Sequence, residues 1–182
     1  MTFEQHGIRH NRSQALVDAA WRFAAAAHDG QTRKYTGEPY IRHPAAVAQL
    51  VATVTPDVEA ICAAILHDVL EDTDATRSDI IGFGLGPGVA NLVEEVTDVS
   101  RPEDGNRKHR KMLDRAHLAG ASPLGQTIKL ADLIHNTESI TVHDPSFAKV
   151  YLAEKRLLLD VLTKGSVALM GMAKKQLRDA TG

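Results

Sequence analysis

Apolar residues recur along most of this chain every three or four positions, the spacing that lines one side of an α-helix. The first such run begins at Ser13, a typical N-cap residue, and ends at Gly30, which can adopt the left-handed conformation that closes many helices. Further runs cover residues 45–54, 58–70, 74–83, 89–96, 124–141, 146–164 and 167–178. No stretch alternates apolar and polar residues as a half-buried strand would. The pattern predicts an all-α, single-domain helical bundle over residues 13–182, preceded by a flexible segment over residues 1–12.

The run from Val58 to Leu70 is apolar on nearly every side, which is typical of a helix at the centre of a domain. Its end carries four ionisable groups, His67, Asp68, Glu71 and Asp72. If the helix continues through them, His67 and Glu71 lie along one side and the two aspartates along the neighbouring side. Burying such a cluster of carboxylates is costly unless a cation offsets the charge. The sequence therefore predicts a metal ion at this end of the helix.

Composition limits the classes of function that fit the chain. Its 182 residues suit one domain, and 21 basic against 23 acidic residues give a net charge of -2, which argues against a general nucleic-acid or membrane-surface binder. No apolar run approaches the roughly 18 residues of a membrane span, and the polar start lacks a signal-peptide core. The lone Cys62 excludes an intrachain disulfide and is predicted to be a small buried residue. We therefore expect a cytoplasmic protein.

Two further polar positions are candidates for the same metal site. A turn-rich segment without helical spacing leads to His43, and Pro44 suits the first position of the following helix. In the run 124–141, Lys129, Asp132 and Asn136 share a face that can look into a cleft. Two imidazoles and two carboxylates would suit Mn²⁺, Fe²⁺, Co²⁺ or Zn²⁺. We predict a ligand set of His43, His67, Asp68 and Asp132.

The segment from Ser100 to Lys111 is strongly polar and rich in cations, including Arg107 and Lys111. Such a run is either a solvated face or a contact surface for an anion. A metal-binding cluster elsewhere suggests a phosphate-bearing substrate, which would also need cationic partners. Both interpretations stay open from the residues alone.

The spaced His, His-Asp and Asp set resembles the HD superfamily of metal-dependent phosphohydrolases. The resemblance extends to Arg33-Lys34, Gly37-Glu38-Pro39-Tyr40, His43-Pro44, Leu66-His67-Asp68, Glu71-Asp72-Thr73, Val96-Thr97-Asp98 and Lys129-Leu130-Ala131-Asp132, in that order. This series, over residues 13–165, is similar to the hydrolase domain of the RelA/SpoT-homologue family, which removes pyrophosphate from guanosine tetra- and pentaphosphate, (p)ppGpp. The resemblance implies an HD-type bundle and, since no synthetase region follows, a free-standing small alarmone hydrolase.

The resemblance also implies roles for individual residues. It favours Mn²⁺ as the metal, with Glu71 and Asp72 orienting and deprotonating the metal-activated water, and GDP or GTP with pyrophosphate as products. Arg33 would flank the purine, Lys34 and Lys129 would lie near the site, and Asn136 would contact the nucleotide. Tyr151 is a candidate for the same pocket, and Arg107 to Lys111 for the 5′ phosphates. The expected partner is a small nucleotide, without nucleic acid or membrane.

Two departures from the family pattern bear on the substrate. Leu133 and Glu138 stand where basic residues are common in the family, and Glu138 would repel a nearby phosphate. The alternatives are therefore an HD phosphohydrolase of another nucleotide, such as (p)ppApp or a phosphorylated nucleotide cofactor, and a non-catalytic nucleotide sensor. An intact Glu71 and Asp72 argue against the sensor, because a sensor does not need to activate water.

Overall fold

The computed structural model describes residues 3–181, and their side chains from Arg12 onward. Its helices are α1 (Phe3–Ala27), α2 (Arg42–Ala52), α3 (Val58–Leu66), α4 (Val69–Asp72), α5 (Arg77–Gly82), α6 (Gly86–Val96), α7 (Arg107–Gly120), α8 (Pro123–His143), α9 (Pro145–Leu159) and α10 (Val167–Thr181), with a 3₁₀ turn at Pro102–Asp104. Over that range the structure has no strand, and an isolated antiparallel bridge joins Thr32 to Pro39. The predicted all-α class is confirmed.

Helix α3 lies at the centre of the bundle and packs against α1, α2, α6 and α8. Its small side chains let these neighbours approach closely, and Ala60, Cys62, Ala63 and Leu66 are fully buried. The burial predicted for Cys62 is thus confirmed. Because its neighbours surround α3, the residues at its end are held on several sides, which is the support that a metal site needs.

The central helix does not continue through the polar cluster, and this part of the prediction was wrong. Helix α3 ends at Leu66, a turn follows at His67 and Asp68, and the short α4 begins at Val69. Neighbouring residues on a regular helix do not face the same point. The turn lets the His67 and Asp68 side chains meet instead, with Nε2 of His67 3.1 Å from Oδ2 of Asp68.

The first helix begins earlier than predicted and ends close to the predicted position. A flexible segment was predicted at residues 1–12. Residues 1 and 2 lie outside the described range, and from Phe3 onward the backbone of this segment belongs to α1. Ser13 therefore lies inside that helix and is not its N-cap. Gly30 has a φ of 76°, so the predicted left-handed glycine after α1 is confirmed.

Helix α7 was not predicted, because its charged face hides the helical spacing. Only Asp114 and Leu118 are buried along its length. Its start is fixed by Asn106, whose side chain accepts a hydrogen bond from the His109 backbone N–H at 3.1 Å. The basic run from Arg107 to Lys111 is thus the first part of a helix.

Helix α8 begins at Pro123, one residue before the predicted run at 124–141. The Ser122 hydroxyl accepts a hydrogen bond from the Gly125 backbone N–H at 3.1 Å, and Pro123 occupies the first helical position. The helix then carries Asp132 and Asn136 past the end of α3. Within the described residues, no helix is both long and apolar enough to cross a membrane.

Candidate metal centre and active site

His67 is buried at the turn between α3 and α4, with a single hydrogen bond to the backbone. Its Nδ1 lies 2.8 Å from the Ala64 carbonyl oxygen, so Nδ1 carries the proton and donates it. Its Nε2 is buried and has no hydrogen-bond partner among the described residues. A buried nitrogen left without a partner is rare in folded proteins, and metal ligation is one common reason for it.

His43 approaches the same point from the first turn of α2. Its Nδ1 lies 2.8 Å from Nδ1 of His135, so one ring must donate and the other accept. Burial and the neighbouring His43 lower the pKa of His135 to about 4, so His135 is neutral near pH 7. Where His135 accepts and His43 donates, Nδ1 of His43 carries the proton. The Nε2 of His43 is then free to bind a cation, and it is likewise buried without a hydrogen-bond partner in the described chain.

The two aspartates bring negative charge to these nitrogens. Oδ2 of Asp68 lies 3.4 Å from Nε2 of His43, and Oδ1 of Asp132 lies 3.2 Å from it. Oδ1 of Asp132 is also 3.7 Å from Nε2 of His67. Burial alone would raise the pKa of Asp132, but Lys129, whose Nζ is 3.0 Å from Oδ2, and the two histidines hold it well below its usual range.

These distances fit a single divalent cation at His43, His67 and Asp68, with Asp132 close to the two imidazoles. Two ligand atoms that each lie about 2.1 Å from one ion are roughly 3.0 to 3.6 Å apart at coordination angles of about 90° to 120°. Three of the four separations, 3.1, 3.2 and 3.4 Å, lie inside that range, and the fourth, 3.7 Å, is just above it. His43, His67 and Asp68 each offer a ligand atom within 4.8 Å of the others. Nitrogen and carboxylate oxygen together suit Mn²⁺, Fe²⁺, Co²⁺ or Zn²⁺.

The pKa of His67 supports the same interpretation. Burial by itself would lower that pKa, yet Asp68 and Asp132 raise it well above its usual value. Without a metal ion, the carboxylates therefore favour a proton on this imidazole. A divalent cation would satisfy the same negative potential in place of the proton.

Asp68 and Asp132 face a cleft of about 300 Å³, and Glu71 and Asp72 line it beside them. The Glu71 side chain is exposed to the cleft, but the surrounding protein partly desolvates it. This desolvation, with a contribution from Asp98, raises the pKa of Glu71 to about 7 against the opposing effect of Lys129. Burial and the nearby Asp68 also raise the pKa of Asp72. Both carboxylates are thus shifted toward the range in which a group can accept a proton near neutral pH.

Tyr40 connects the two carboxylate groups. Its hydroxyl lies 2.7 Å from Oδ2 of Asp68 and 3.0 Å from Oδ2 of Asp72, and it can donate its proton to one of them at a time. Arg33 lies over the Tyr40 ring at 5.7 Å and donates a hydrogen bond of 2.9 Å to Oδ1 of Asn136. Asn136 in turn donates to Oδ1 of Asp132 at 2.6 Å. One hydrogen-bonded chain therefore runs from the candidate metal ligands to the cleft wall.

A family model described as an HD domain matches residues 20–159 of this chain. The chain belongs to the HD domain family. Its match to that model includes all four proposed metal ligands, from His43 to Asp132, and both cleft carboxylates.

Named relatives of this HD domain carry a hydrolase activity in their names. The chain is 41% identical over 128 residues to the bifunctional (p)ppGpp synthase/hydrolase SpoT of Escherichia coli, covering 66% of this chain and 17% of that protein. It is 40% identical over 129 residues to the human guanosine-3′,5′-bis(diphosphate) 3′-pyrophosphohydrolase MESH1, covering 69% of each. The chain thus spans less than a fifth of the length of the bacterial relative.

A solved structure has the same architecture as this HD domain. It is described as a metazoan orthologue of SpoT that hydrolyses ppGpp and plays a role in starvation responses. The TM-score is 0.81 at 29% identity, covering 91% of this chain and 95% of that one. The HD-type bundle predicted from the motif series is therefore confirmed.

The HD domain brings most of the residues predicted for the site to one cleft. Besides Asp68, Glu71, Asp72 and Asp132, the predicted residues that line it are Arg33, Arg107, Lys111, Lys129, Asn136 and Tyr151. Lys34 does not line it. Its Nζ instead lies 3.4 Å from the Tyr35 hydroxyl and 3.7 Å from Oδ2 of Asp144.

The two departures from the family pattern fall in different places. Leu133 is buried and lines the cleft, so an apolar side chain replaces a cation there. Glu138 does not line the cleft, and its Oε1 lies 3.3 Å from Nε2 of Gln176 on α10. The expected repulsion between Glu138 and a phosphate in the cleft therefore does not follow from this arrangement.

Several cleft residues were not assigned from the sequence. Tyr40 and Asp98 belong to motifs that carried the family resemblance. The sequence therefore marked both positions, but no function was predicted for either. Asp98 lies 2.6 Å from Nζ of Lys111, and its backbone N–H donates to Glu71. Arg115 and Lys155 also line the cleft. No motif contains them, and their positions follow from the packing of α7 and α9.

Proposed function

We propose that the protein is a metal-dependent hydrolase that removes the 3′-pyrophosphate from (p)ppGpp, giving GDP or GTP and pyrophosphate. The observation that carries the proposal is the pair of buried, unpartnered Nε2 atoms of His43 and His67, which face Asp68 and Asp132. Two further carboxylates line the adjoining cleft. The names of the relatives supply the substrate class.

His43, His67, Asp68 and Asp132 would hold the metal, with Mn²⁺ the ion that the family resemblance favours. When bound, the ion supplies a Lewis acid that polarises the phosphoryl oxygens and lowers the pKa of the attacking water. His67 presents Nε2 because its Nδ1 donates to the Ala64 carbonyl, and His43 would present Nε2 when its Nδ1 donates to His135. These outer hydrogen bonds fix the ring tautomers and orientations before the metal binds.

Glu71 and Asp72 would orient the attacking water and accept its proton. The pKa of Glu71, about 7, suits a group that must be ionised before the reaction and protonated after it. Tyr40 would hold Asp72 in place through its hydroxyl. Attack at the phosphorus bonded to the 3′ oxygen then breaks that P–O bond and releases pyrophosphate.

The remaining cleft residues would hold the nucleotide. Arg33 would flank the purine, and Asn136, Lys129 and Tyr151 would complete the wall on the α8 and α9 side. Lys34 remains a predicted contact whose side chain lies outside the cleft in this structure. Since this substrate is a small nucleotide, we also place the reaction in the cytoplasm, without nucleic acid or membrane.

The direct test is to incubate the purified protein with Mn²⁺ and guanosine 3′,5′-bis(diphosphate) and to measure pyrophosphate and GDP. We expect both products in equal amounts, and no reaction after the metal is chelated. A protein that binds the metal but releases no pyrophosphate would refute the proposal.

A substrate panel separates this activity from the alternatives. Leu133 places an apolar side chain in the cleft, which keeps other nucleotides in consideration. Relative kcat/KM for the guanosine and adenosine bis(diphosphates) and for phosphorylated nucleotide cofactors would identify an HD phosphohydrolase of another nucleotide. Tight binding of one of these compounds without turnover would identify a sensor.

A further inference from the structure

The cations that line the cleft differ in whether a carboxylate already neutralises them. Arg107 makes a bidentate ion pair with Glu154: Nε donates to Oε1 at 2.7 Å and Nη2 donates to Oε2 at 2.8 Å. Lys111 lies 2.6 Å from Oδ2 of Asp98 and 3.5 Å from Oδ2 of Asp114. An anion that binds to these cations must therefore compete with carboxylates in place. This weakens the expectation that Arg107 and Lys111 are the main contacts for a 5′ phosphate.

Arg115 lies one turn beyond Lys111 on α7 and is in no ion pair among the residues that the structure describes. Its one hydrogen bond runs from Nη1 to the Lys111 carbonyl oxygen, at the long distance of 3.4 Å. The side chain is half-buried and lines the cleft. Its guanidinium therefore has donors available for an anion without breaking an existing ion pair.

Arg115 also lines a second cavity, which we call the outer cavity. It has a volume of about 530 Å³ and lies between α7 and α9. It shares Arg107, Lys111, Arg115 and Glu154 with the cleft. Apart from Asn106, its remaining lining is basic or apolar and includes Lys108, His109, Met112 and Leu157. A substrate held at the metal centre can therefore extend past Arg115 into a positively charged space.

We propose that Arg115 is a specificity-determining residue that binds the 5′ phosphates of the nucleotide where the cleft meets the outer cavity. This inference rests on the proposed function, because it assumes a nucleoside with anionic groups at both its 3′ and 5′ ends. The 3′ group would lie at the metal centre and the 5′ group beside Arg115. A guanidinium presents several donors to phosphate oxygens in fixed geometry, which suits this role better than a lysine.

The test compares two substrates that differ only at the 5′ end, guanosine 3′,5′-bis(diphosphate) and guanosine 3′-diphosphate. In the Arg115→Gln variant, we expect the preference for the 5′-diphosphate in kcat/KM to fall by about tenfold or more, the scale of a charge-assisted hydrogen bond. The loss should appear mainly in KM. Arg115→Lys should lose less, because it keeps the charge but not the planar set of donors.

Lys149→Gln provides the matched control, since it removes one exposed positive charge from α9 outside both cavities. It should leave the substrate preference unchanged. A preference in Arg115→Gln within twofold of the wild type would overturn the inference. So would an equal loss in Lys149→Gln, because that would indicate a general effect of net charge.

Equilibrium binding separates a failure of this inference from a failure of the proposed function. Calorimetric titration with GDP and with guanosine needs no turnover. If the wild type hydrolyses neither substrate, the proposed function fails, and the titrations still decide the role of Arg115. We expect Arg115→Gln to weaken binding of GDP by about tenfold and to leave guanosine unaffected. Equal affinity of wild type and variant for GDP would refute the role.

Discussion

At the metal centre the charged side chains are buried and converge on one point, whereas at the outer end of the cleft they are more exposed and mostly paired. The side chains of His43, His67 and Asp132 are 1, 2 and 7% exposed. Those of Arg107 and Lys111 are 47 and 36% exposed and contact carboxylates from other segments. The first arrangement leaves the Nε2 atoms of both histidines without hydrogen-bond partners, while the second already pairs most of its charges.

This difference indicates which side chains in each region can gain a favourable contact when a ligand binds. At the metal centre, the two unpartnered Nε2 atoms gain a partner when a cation binds, and the two carboxylates beside them gain an opposite charge. At the outer end, a phosphate gains most from a cation that is not yet paired. The two regions therefore predict different outcomes when their residues are replaced.

The largest effect is expected at the metal centre. Replacing His67 with alanine removes one of the two free Nε2 ligands and leaves Asp68 and Asp132 facing each other without it. We expect the metal content of the purified variant to fall to background and activity to be lost with it. Elemental analysis and a pyrophosphate assay measure the two quantities. His109→Ala, at an exposed histidine of α7, should retain its metal, and a His67→Ala variant that kept a full complement would contradict the ligand assignment.

A smaller effect, confined to turnover, is expected at Asp72, which lies four residues after Asp68. Asp72→Asn keeps an oxygen that accepts from Tyr40 but cannot take a proton from water. We expect metal content to be unchanged and kcat to fall by a factor on the order of 10² or more, the usual scale for loss of a general base. Asp74→Asn, at an exposed carboxylate nearby, is the control. Loss of metal in Asp72→Asn would instead make this aspartate part of the metal centre.

The pH dependence tests whether Glu71 shares that role. Desolvation raises the pKa of Glu71 to about 7, so the ionised, proton-accepting form accumulates as the pH rises through 7. We expect kcat to increase by up to tenfold per pH unit below 7 and to level off above it. Glu71→Gln should lack this inflection as well as being slower. An identical pH profile in Glu71→Gln would assign the titration to another group.

The residues of the candidate metal centre could be picked out from the sequence because their signals are local. His67 and Asp68 are adjacent, His43 precedes a proline near the start of a helix, and Asp132 lies on a face with Lys129 and Asn136. The helix begins at Arg42, not at Pro44 as predicted, so His43 lies inside its first turn. Even so, the prediction of an unbroken helix through His67 was wrong. The apolar run gives no sign of the turn that lets the two ligands meet.

The outer end of the cleft could not be predicted in the same way. Whether Arg107 is available depends on Glu154, which is distant in sequence and is brought beside it by the packing of α9 on α7. Arg115 has no motif around it, and its charged helix has no clear apolar pattern. Pairing of surface charges between helices is a property of the tertiary fold, so the sequence pointed to Arg107 and gave no signal for Arg115.

The smallest effect on catalysis, but a measurable one on stability, is expected at Lys155. This side chain is 1% exposed, and its Nζ donates to Oγ1 of Thr137 at 2.6 Å and to Oε1 of Gln176 at 3.0 Å. It has no ion pair within the described part of the chain. Burial lowers its pKa from 10.5 to about 8, and Glu138 offsets only part of that effect.

The sign of the pH effect follows from proton binding. Between pH 8 and 10.5, the unfolded chain binds more protons at Lys155 than the folded chain does. The free energy of unfolding should therefore rise with pH across that window, and the full penalty of the buried charge should apply below pH 8. At 1.36 kcal/mol per pKa unit, the penalty is on the order of 3 kcal/mol.

Urea unfolding of the wild type and of Lys155→Met on both sides of this window measures that penalty. Methionine keeps much of the stem volume but loses both hydrogen bonds, so the absolute difference mixes two effects. The change of that difference with pH isolates the charge, because the hydrogen bonds lost in the variant do not titrate. We expect Lys155→Met to be relatively more stable below pH 8 and to lose this advantage as the pH rises toward 10.5. The exposed Lys149→Met should show no such trend, and a difference independent of pH in Lys155→Met would mean that the buried amine carries no such penalty.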